Sequence, residues 1–285
     1  MLIDTVISGF FVYRFENLNA KEPELAPFFL LRQYPITYSA EPAPMRVSVM
    51  QPYAFPYIGY FQLIRDVDVF VVFNDVNFRK RSWINRNRIL LNNDAYLFTL
   101  NLCEASSSKR INEIAIGDNQ KILLRTFRQA YSRAPYFEQV MPLLETLLLY
   151  PESRLDLYLM HQLETLARYL GMHTRFILSS DVEKDPSLKG QDKILAICDA
   201  LGADSYTNAI GGQHLYSEEN FASQGIDLKF IKSHDIHYRQ FGGEFISWLS
   251  IIDVLMFNSV MDTRRYLDAY ELVSAGVPEA AIAVS

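Results

Sequence analysis

Two short apolar runs, at residues 46–50 and 68–75, indicate the start of a parallel β-sheet. The first, RVSVM (46–50), is typical of a buried strand. The second, DVFVVFND (68–75), is almost continuously apolar, as expected of a strand covered on both faces. Between them, Pro56 suits the first turn of a helix that continues to about Asp66. This connection is long enough to join two parallel strands, so the sequence predicts an α/β fold.

The rest of the chain extends this prediction. NRNRILL and AYLFTLNL flank the turn sequence NNDA and predict a β-hairpin. A middle region from Asp118 to Gly171 shows helical apolar spacing, and TRFILSS, DSYTNA and IDLKFIKS are strand-like. The closing stretches FISWLSIIDVLMFNS and MDTRRYLDAYELVSAG are both predicted to be helical. We therefore predict a mainly parallel sheet with flanking helices, a helical middle region and a β-hairpin.

Proline, alanine and glutamate break any regular period at the N-terminus, in NLNAKEPELAP and YSAEPAP. We predict an appended, poorly ordered segment at residues 1–44, an α/β domain at 45–275 and a C-terminal tail at 276–285. The alternative is that residues 1–44 form an arm laid on the domain.

Composition limits the partners and the compartment. The net charge of −6 argues against nonspecific nucleic-acid binding, which needs a basic surface. The two cysteines show neither a disulfide framework nor a zinc motif, so a reducing, cytoplasmic setting fits best. No apolar run reaches the roughly 18–20 residues of a bilayer span, and the N-terminus lacks the features of a signal peptide. We predict no membrane insertion.

The loop after the first strand, in MQPYAFPYIGYFQ, is the first candidate site. In open α/β sheets, ligands bind outside the carboxyl ends of the strands, where Gln51 and Asp75 are expected. Prolines in the loop lower the entropy cost of holding one shape. We assign Gln51, Tyr53 and Tyr57 to ligand binding and Asp75 to catalysis. The alternative is an aromatic loop that only packs on the core.

The segment NDVNFRKRSWINRNRI supplies the second group of candidates. Strand alternation sends Asn85 and Asn87 to one face and Arg86 and Arg88 to the other. Because guanidinium groups bind phosphate and carboxylate in a bidentate manner, Arg86 is a candidate catalytic residue. Asn85, Asn87 and Arg88 are candidate ligand-binding residues. The alternative is a solvated edge hairpin.

Tyr238 and Gln240 in HDIHYRQFGGEF are candidate ligand-binding residues, and Asp253 in an apolar helix is a candidate catalytic residue or structural anchor. His234 and His237 are spaced for a metal, but no third ligand follows at a recognisable spacing, so no metal site is predicted. The sequence does not identify a cofactor, and standard nucleophile, P-loop and dinucleotide motifs are missing from it.

Taken together, several motifs resemble the WbqC-like protein family. They are MQPYAFPYIGYFQLI, DVFVVFNDVNFRKRSWINRNRI, YSRAPYF, DKILAICDALGADSY, HYRQF and LSIIDVLMFNS. Two departures are Asn74 before Asp75, where the family tends to have two aspartates, and Val260 after FNS. The resemblance implies a bacterial origin and association with surface-polysaccharide (O-antigen) gene clusters. Some members of the family carry the label of acyl or glycine transferase.

The leading hypothesis is a transferase that binds an activated small molecule, a nucleotide or nucleotide-sugar, in bacterial glycan or related biosynthesis. In this hypothesis Asp75 is a base or ligand clamp, Arg86 stabilises developing negative charge, and Asp253 completes the site. The alternative is a non-catalytic ligand-binding or assembly protein of the same pathway. The acidic composition disfavours a nucleic-acid-associated factor.

Overall fold

The structure, a computed structural model, describes residues 44–274 of the 285-residue chain. The described residues all belong to one compact unit. The predicted segment 1–44, apart from Pro44, and the predicted tail 276–285 lie outside the described residues. Between residues 44 and 274, no helix is long and apolar enough to cross a bilayer.

The described residues form ten strands and eight α-helices, which alternate at the start of the domain and again from β7 to β9. The strands are β1 (Arg46–Met50), β2 (Val69–Val72), β3 (Arg86–Leu91), β4 (Asp94–Thr99), β5 (Leu102–Cys103), β6 (Ala115–Ile116), β7 (Arg175–Leu178), β8 (Ser205–Ala209), β9 (Asp227–Ser233) and β10 (Tyr270–Ser274). The α-helices are α1 (Ile58–Asp66), α2 (Gln120–Tyr131), α3 (Phe137–Leu148), α4 (Leu155–Tyr169), α5 (Gly190–Leu201), α6 (Glu218–Ser223), α7 (Ile251–Phe257) and α8 (Val260–Leu267).

A six-stranded sheet organises these elements in the order β10-β9-β8-β1-β2-β7. All neighbouring strands pair in parallel except β10, which runs antiparallel to β9. The predicted α/β fold with a mainly parallel sheet is confirmed. The predicted parallel pairing of the first two strands is also confirmed, with Met50 opposite Val72.

Helices cover both faces of the sheet because alternate side chains of each strand point to opposite sides. Phe70 and Val72 of β2 pack in the core formed with α1 and α4. Val69 and Val71 of the same strand pack in the core formed with α5 and α6. Burial on both sides accounts for the continuous apolar run of this strand.

The predicted hairpin is β3–β4, and it lies outside the main sheet. Asn92 and Asn93 form its turn with φ angles of +55° and +60°. Asparagine tolerates this left-handed conformation better than most residues, and two such angles in succession match the twist of a tight hairpin. The buried hydroxyl of Tyr131 in α2 accepts the Leu90 N–H at 3.0 Å, which holds the hairpin against the helical region.

The C-terminal helix prediction is wrong in two places. Residues 245–250 form a loop, and α7 begins only after Ser250, whose hydroxyl caps the helix by accepting the Ile252 N–H at 3.2 Å. Residues 270–274 form β10 instead of helix. Pairing along β9 satisfies their backbone groups, and this tertiary contact overrides the local helical pattern.

The Gln51–Tyr57 loop is fixed by buried hydrogen bonds from distant parts of the chain. The Phe55 carbonyl accepts from Asn87 Nδ2 at 2.9 Å and from Ser250 Oγ at 2.6 Å. Phe55 has a φ of +43°, which is unusual for a residue with a side chain. Its ring is fully buried in the core. The loop is therefore both packed on the core and held in one shape.

Replacing Asn87 by alanine should lower the free energy of unfolding by roughly 1–3 kcal/mol, because the Phe55 carbonyl loses a buried donor. Urea denaturation measures this loss. The control is Asn220→Ala, at an exposed helical position, which should leave the midpoint unchanged or slightly raised. Equal effects of the two substitutions would contradict the anchoring role of Asn87.

Candidate functional site

The strand order places a cavity at the point where the sheet changes direction. β1 lies between β2 and β8, so the connections that leave β1 and β8 run to opposite sides. A cavity of about 450 Å³ lies at the carboxyl ends of these two strands. We call it the switch cavity. Its lining residues are Val49, Met50, Gln51, Tyr53, Phe73, Gly190, Gln191, Ile194, Asn208, Ala209, Gly211, Gly212, Leu215 and Tyr216.

Two polar side chains of the Gln51–Tyr57 loop reach this cavity. Within the described part of the chain, neither the Gln51 amide nor the Tyr53 hydroxyl makes a side-chain hydrogen bond. Burial raises the pKa of the Tyr53 phenol, and the positive charge of Arg79 acts against that rise. Tyr53 is therefore a neutral donor and acceptor near neutral pH, and Gln51 offers an amide that a ligand can use.

The opposite wall is rigid because Asn208 ties it together. Asn208 is buried and donates from Nδ2 to Tyr206 Oη at 2.9 Å and to Tyr216 Oη at 2.8 Å. Its Oδ1 accepts the Ala209 N–H at 2.7 Å. Burial raises the pKa of both phenols, so the network is uncharged. This wall holds the glycine segment that follows β8 in a fixed position.

Three glycines and the start of α5 form the rest of the lining. Gly190 opens α5 with a φ of +52°, and no side chain caps this end of the helix. The first N–H groups of the helix thus lack a partner within the helix and its cap residue. Gly211 has open space where a side chain would begin. Backbone groups can therefore approach a ligand closely on this side of the cavity.

Asp75 follows β2, two residues beyond Phe73 of the cavity lining, and lies in a nearly buried ionic cluster. Its carboxylate contacts Lys193 Nζ at 2.8 Å and Lys184 Nζ at 3.2 Å. It also accepts from the Ser179 hydroxyl at 2.5 Å. Burial alone would raise the pKa of Asp75. The hydrogen bonds from Lys193 and Ser179 and the two lysine charges outweigh burial, so the pKa is lowered. One carboxylate facing two lysines leaves this cluster with an excess positive charge.

The hairpin arginines do not line the switch cavity. The guanidinium groups of Arg86 and Arg88 each lie 5.8 Å from the centre of the Trp83 ring. Arg86 also donates to the Arg81 carbonyl, and Arg88 donates to the Trp248 carbonyl at 3.4 Å. Asn85 and Asn87, on the other face, donate to backbone carbonyls of Leu100 and Phe55. The predicted division of the four residues into two pairs matches these contacts.

Asp253 is fully buried and is the centre of another network. It accepts from Tyr238 Oη at 2.6 Å, Tyr131 Oη at 2.8 Å and Gln240 Nε2 at 2.9 Å. Burial raises the pKa of Asp253, and these three donors act against the rise. Through these hydrogen bonds Asp253, in α7, connects the loop that carries Tyr238 and Gln240 with Tyr131 of α2.

The residues predicted from sequence are thus divided among separate environments. Gln51 and Tyr53 line the switch cavity, whereas Asp75 is not among its lining residues and pairs with Lys193 instead. Tyr57 and Tyr238 line a second cavity, of about 210 Å³, whose wall includes Trp248. We call it the Trp248 cavity. Among the described residues, the three predicted catalytic residues Asp75, Arg86 and Asp253 share no hydrogen-bonding partner.

Sequence reasoning missed most of the switch cavity. It did not assign Gly190, Gln191, Asn208, Gly211 or Tyr216 to the site. The glycine pair in AIGGQHLY directly after a strand was an available signal. Its meaning depends on β8 pairing with β1, and nothing local in the sequence specifies that pairing. Between residues 44 and 274, no cluster of three or more His, Cys, Asp or Glu side chains is placed to hold a metal ion.

Replacing Asp75 by asparagine should lower the free energy of unfolding near pH 7 by roughly 3–5 kcal/mol, because two nearly buried lysines lose their counterion. The pKa of Asp75 is lower in the folded state than in the unfolded state. Its contribution to the free energy of unfolding is therefore complete above pH ~4 and is lost as the pH falls through the folded pKa. The difference between wild type and variant should therefore narrow under acid conditions.

Urea denaturation at several pH values measures this difference. Asp68→Asn is the matched control, because Asp68 pairs with Arg46 at the surface and its loss should cost less than about 1 kcal/mol. A difference for Asp75→Asn that stays constant from neutral to acid pH would contradict the ionic role assigned to Asp75.

Comparison with known proteins gives the family of the chain. The model of the WbqC-like protein family matches residues 51–265, well over half of the chain. "Uncharacterized protein Rv1507c" of Mycobacterium tuberculosis (strain ATCC 25618 / H37Rv) is 29% identical over 229 residues, which cover 78% of this chain and 97% of the relative. No solved structure gives a significant match. The chain belongs to the WbqC-like protein family.

Proposed function

We propose that the chain is a transferase that binds a nucleotide or nucleotide-linked small molecule in the switch cavity. The observation that carries this proposal is the position of the cavity, at the carboxyl ends of β1 and β8 where the strand order reverses. Ligands of open α/β sheets bind at this position. Its volume of about 450 Å³ lies within the range of small-molecule sites, roughly 300–1,000 Å³.

The lining supports a ligand that has both a phosphate and a ring. Uncapped N–H groups at the start of α5, next to Gly190, favour a negatively charged group. Lys193 of the Asp75 cluster belongs to the same helix, one residue before the lining residue Ile194, and adds positive charge on this side. Apolar side chains such as Met50, Ile194 and Leu215 suit a flat ring. Gln51 and Tyr53 supply polar groups that fix its orientation.

The chemistry proposed for this site depends on positioning. Apart from two phenols, the described residues that line the switch cavity carry no ionisable side chain. An activated donor needs little acid or base assistance when its leaving group is already a good one, and fixed dipoles can stabilise the developing charge. The pathway in this proposal, bacterial glycan or related biosynthesis, follows from the surface-polysaccharide gene clusters that the resemblance to the WbqC-like family implies.

A second candidate function is a non-catalytic ligand-binding or assembly protein. The observation that favours it is that Asp75 and Asp253, two of the predicted catalytic residues, are both engaged by side chains of the chain itself. Neither carboxylate has the free access that a general base needs. Binding in the switch cavity is common to both candidates, and turnover distinguishes them.

We expect ADP, UDP or UDP-glucose to raise the thermal midpoint of the protein. A ligand at 100 times its Kd adds about 2.7 kcal/mol to the free energy of unfolding, which a thermal-shift assay detects. Gly211→Val should abolish the shift. Gly211 lines the cavity with open space at its Cβ position, so the valine side chain would occupy space that the ligand needs. Ala222→Val, on an exposed position of α6, is the control and should preserve the shift.

The same thermal shift in Gly211→Val and wild type would place the ligand elsewhere, and no shift with any of the three compounds would contradict a nucleotide site. Incubating a bound nucleotide-sugar with acceptor sugars, followed by mass spectrometry, tests turnover. A transferred product supports the transferase, whereas binding without product supports the second candidate.

A further inference from the structure

We propose that the Trp248 cavity is a second binding site, for a neutral hydroxylated ring of the saccharide class. This inference goes beyond the proposed function and does not depend on it, because it rests on different residues. The two sites share only the Gln51–Tyr57 loop, which presents Tyr53 to the switch cavity and Tyr57 to the Trp248 cavity.

Aromatic rings form the wall of the Trp248 cavity. The centres of the Tyr57 and Trp248 rings are 5.5 Å apart, with a tilt of 53°. Phe245 extends the wall, and its ring centre lies 4.8 Å from that of His237 and 5.1 Å from that of Tyr238. Such rings provide broad apolar area that loses little conformational entropy on binding. They offer a platform for the apolar face of a flat or puckered ring.

Trp248 is held in an unfavourable conformation at the surface. Its φ is +59°, in the left-handed region that bulky residues avoid, and its side chain is 61% exposed. Burial of the indole does not compensate this strain. Fixed neighbours maintain it instead, since Arg88 donates to the Trp248 carbonyl and Ser250 N–H donates to the Arg88 carbonyl at 2.8 Å. Strain of this kind concentrates at functional sites.

Gly59 positions the other aromatic ring. A Cβ atom at Gly59 would lie 2.3 Å from Cε2 and 2.7 Å from Cζ of Tyr57, so the ring lies directly over the glycine. The missing side chain in the first turn of α1 lets Tyr57 lie against the helix and face the cavity. This contact gives Gly59 a packing role.

The remaining lining determines the class of ligand. Polar groups come from Ser233, His234, Asp235, His237 and Ser247, whereas none of the described residues that line the cavity is a lysine or arginine. A phosphate or carboxylate would meet the Asp235 carboxylate without a lysine or arginine among these residues to balance the charge, and a lipid chain would leave these polar groups unpaired. The volume of about 210 Å³ is below the roughly 300 Å³ of drug-sized sites and suits a single ring.

Tryptophan fluorescence tests this site directly, because the chain has only two tryptophans. Trp83→Phe keeps an aromatic ring beside Arg88 and leaves Trp248 as the single reporter. Titration with methyl α-glucopyranoside, methyl β-galactopyranoside and N-acetylglucosamine should give, for at least one of them, a saturable change in emission and protection from acrylamide quenching. Failure of all three at millimolar concentrations would overturn the proposal. A response to adenosine or uridine alone would also overturn it.

Two variants separate binding from folding, with saturation-transfer NMR of the responding saccharide as the readout. Trp248→Gly should lose the signal while the thermal midpoint is preserved or raised, because glycine accepts the φ of +59° without strain. Gly59→Ala should weaken binding by about tenfold by displacing Tyr57. Saccharide signals equal to those of wild type in both variants would contradict the site.

Gly211→Val distinguishes the two proposals. It should block nucleotide-dependent stabilisation and leave the saccharide signal intact, whereas Trp248→Gly should do the reverse. Loss of both responses in either variant would contradict the assignment of two separate sites.

Discussion

The parallel pairing of β1 with β2 on one side and β8 on the other is the constraint on which the candidate site depends. The chain leaves β1 toward β2 and returns through α5 to β8, so the carboxyl ends of β1 and β8 are not covered by a connection between them. The uncovered space at these two strand ends is the switch cavity. Its lining joins segments that are far apart in sequence, namely the Gln51–Tyr57 loop, the start of α5 and the glycines after β8.

The Gln51–Tyr57 loop combines the two explanations that its sequence allowed. Its buried Phe55 packs on the core, while Gln51, Tyr53 and Tyr57 face cavities. Hydrogen bonds from Asn87 and Ser250 to the Phe55 carbonyl hold this arrangement. The hairpin and the start of α7 therefore support the loop, so Asn87 acts at a distance from any ligand. In the same way Asp253 connects Tyr131, Tyr238 and Gln240 and fixes a wall of the Trp248 cavity.

Local pattern predicted the parts of the fold that local physics controls. The continuous apolar run of β2 and the paired asparagines of the hairpin turn each specify one structure almost independently of the rest. The sequence failed at β10, where pairing with the edge of β9 decides the conformation. It also gave no sign that Lys184 and Lys193, more than a hundred residues later, would pair with Asp75. Such long-range pairing decides whether a carboxylate is free for chemistry or held by counterions.

Backbone amide exchange measured with and without a nucleotide tests the central claim most directly. If the ligand binds in the switch cavity, exchange should slow in three separate segments at once, namely 50–53, 190–194 and 209–213. These segments meet only because β1 pairs with β8. Protection confined to the hairpin at 86–99, or to one of the three segments alone, would contradict the account.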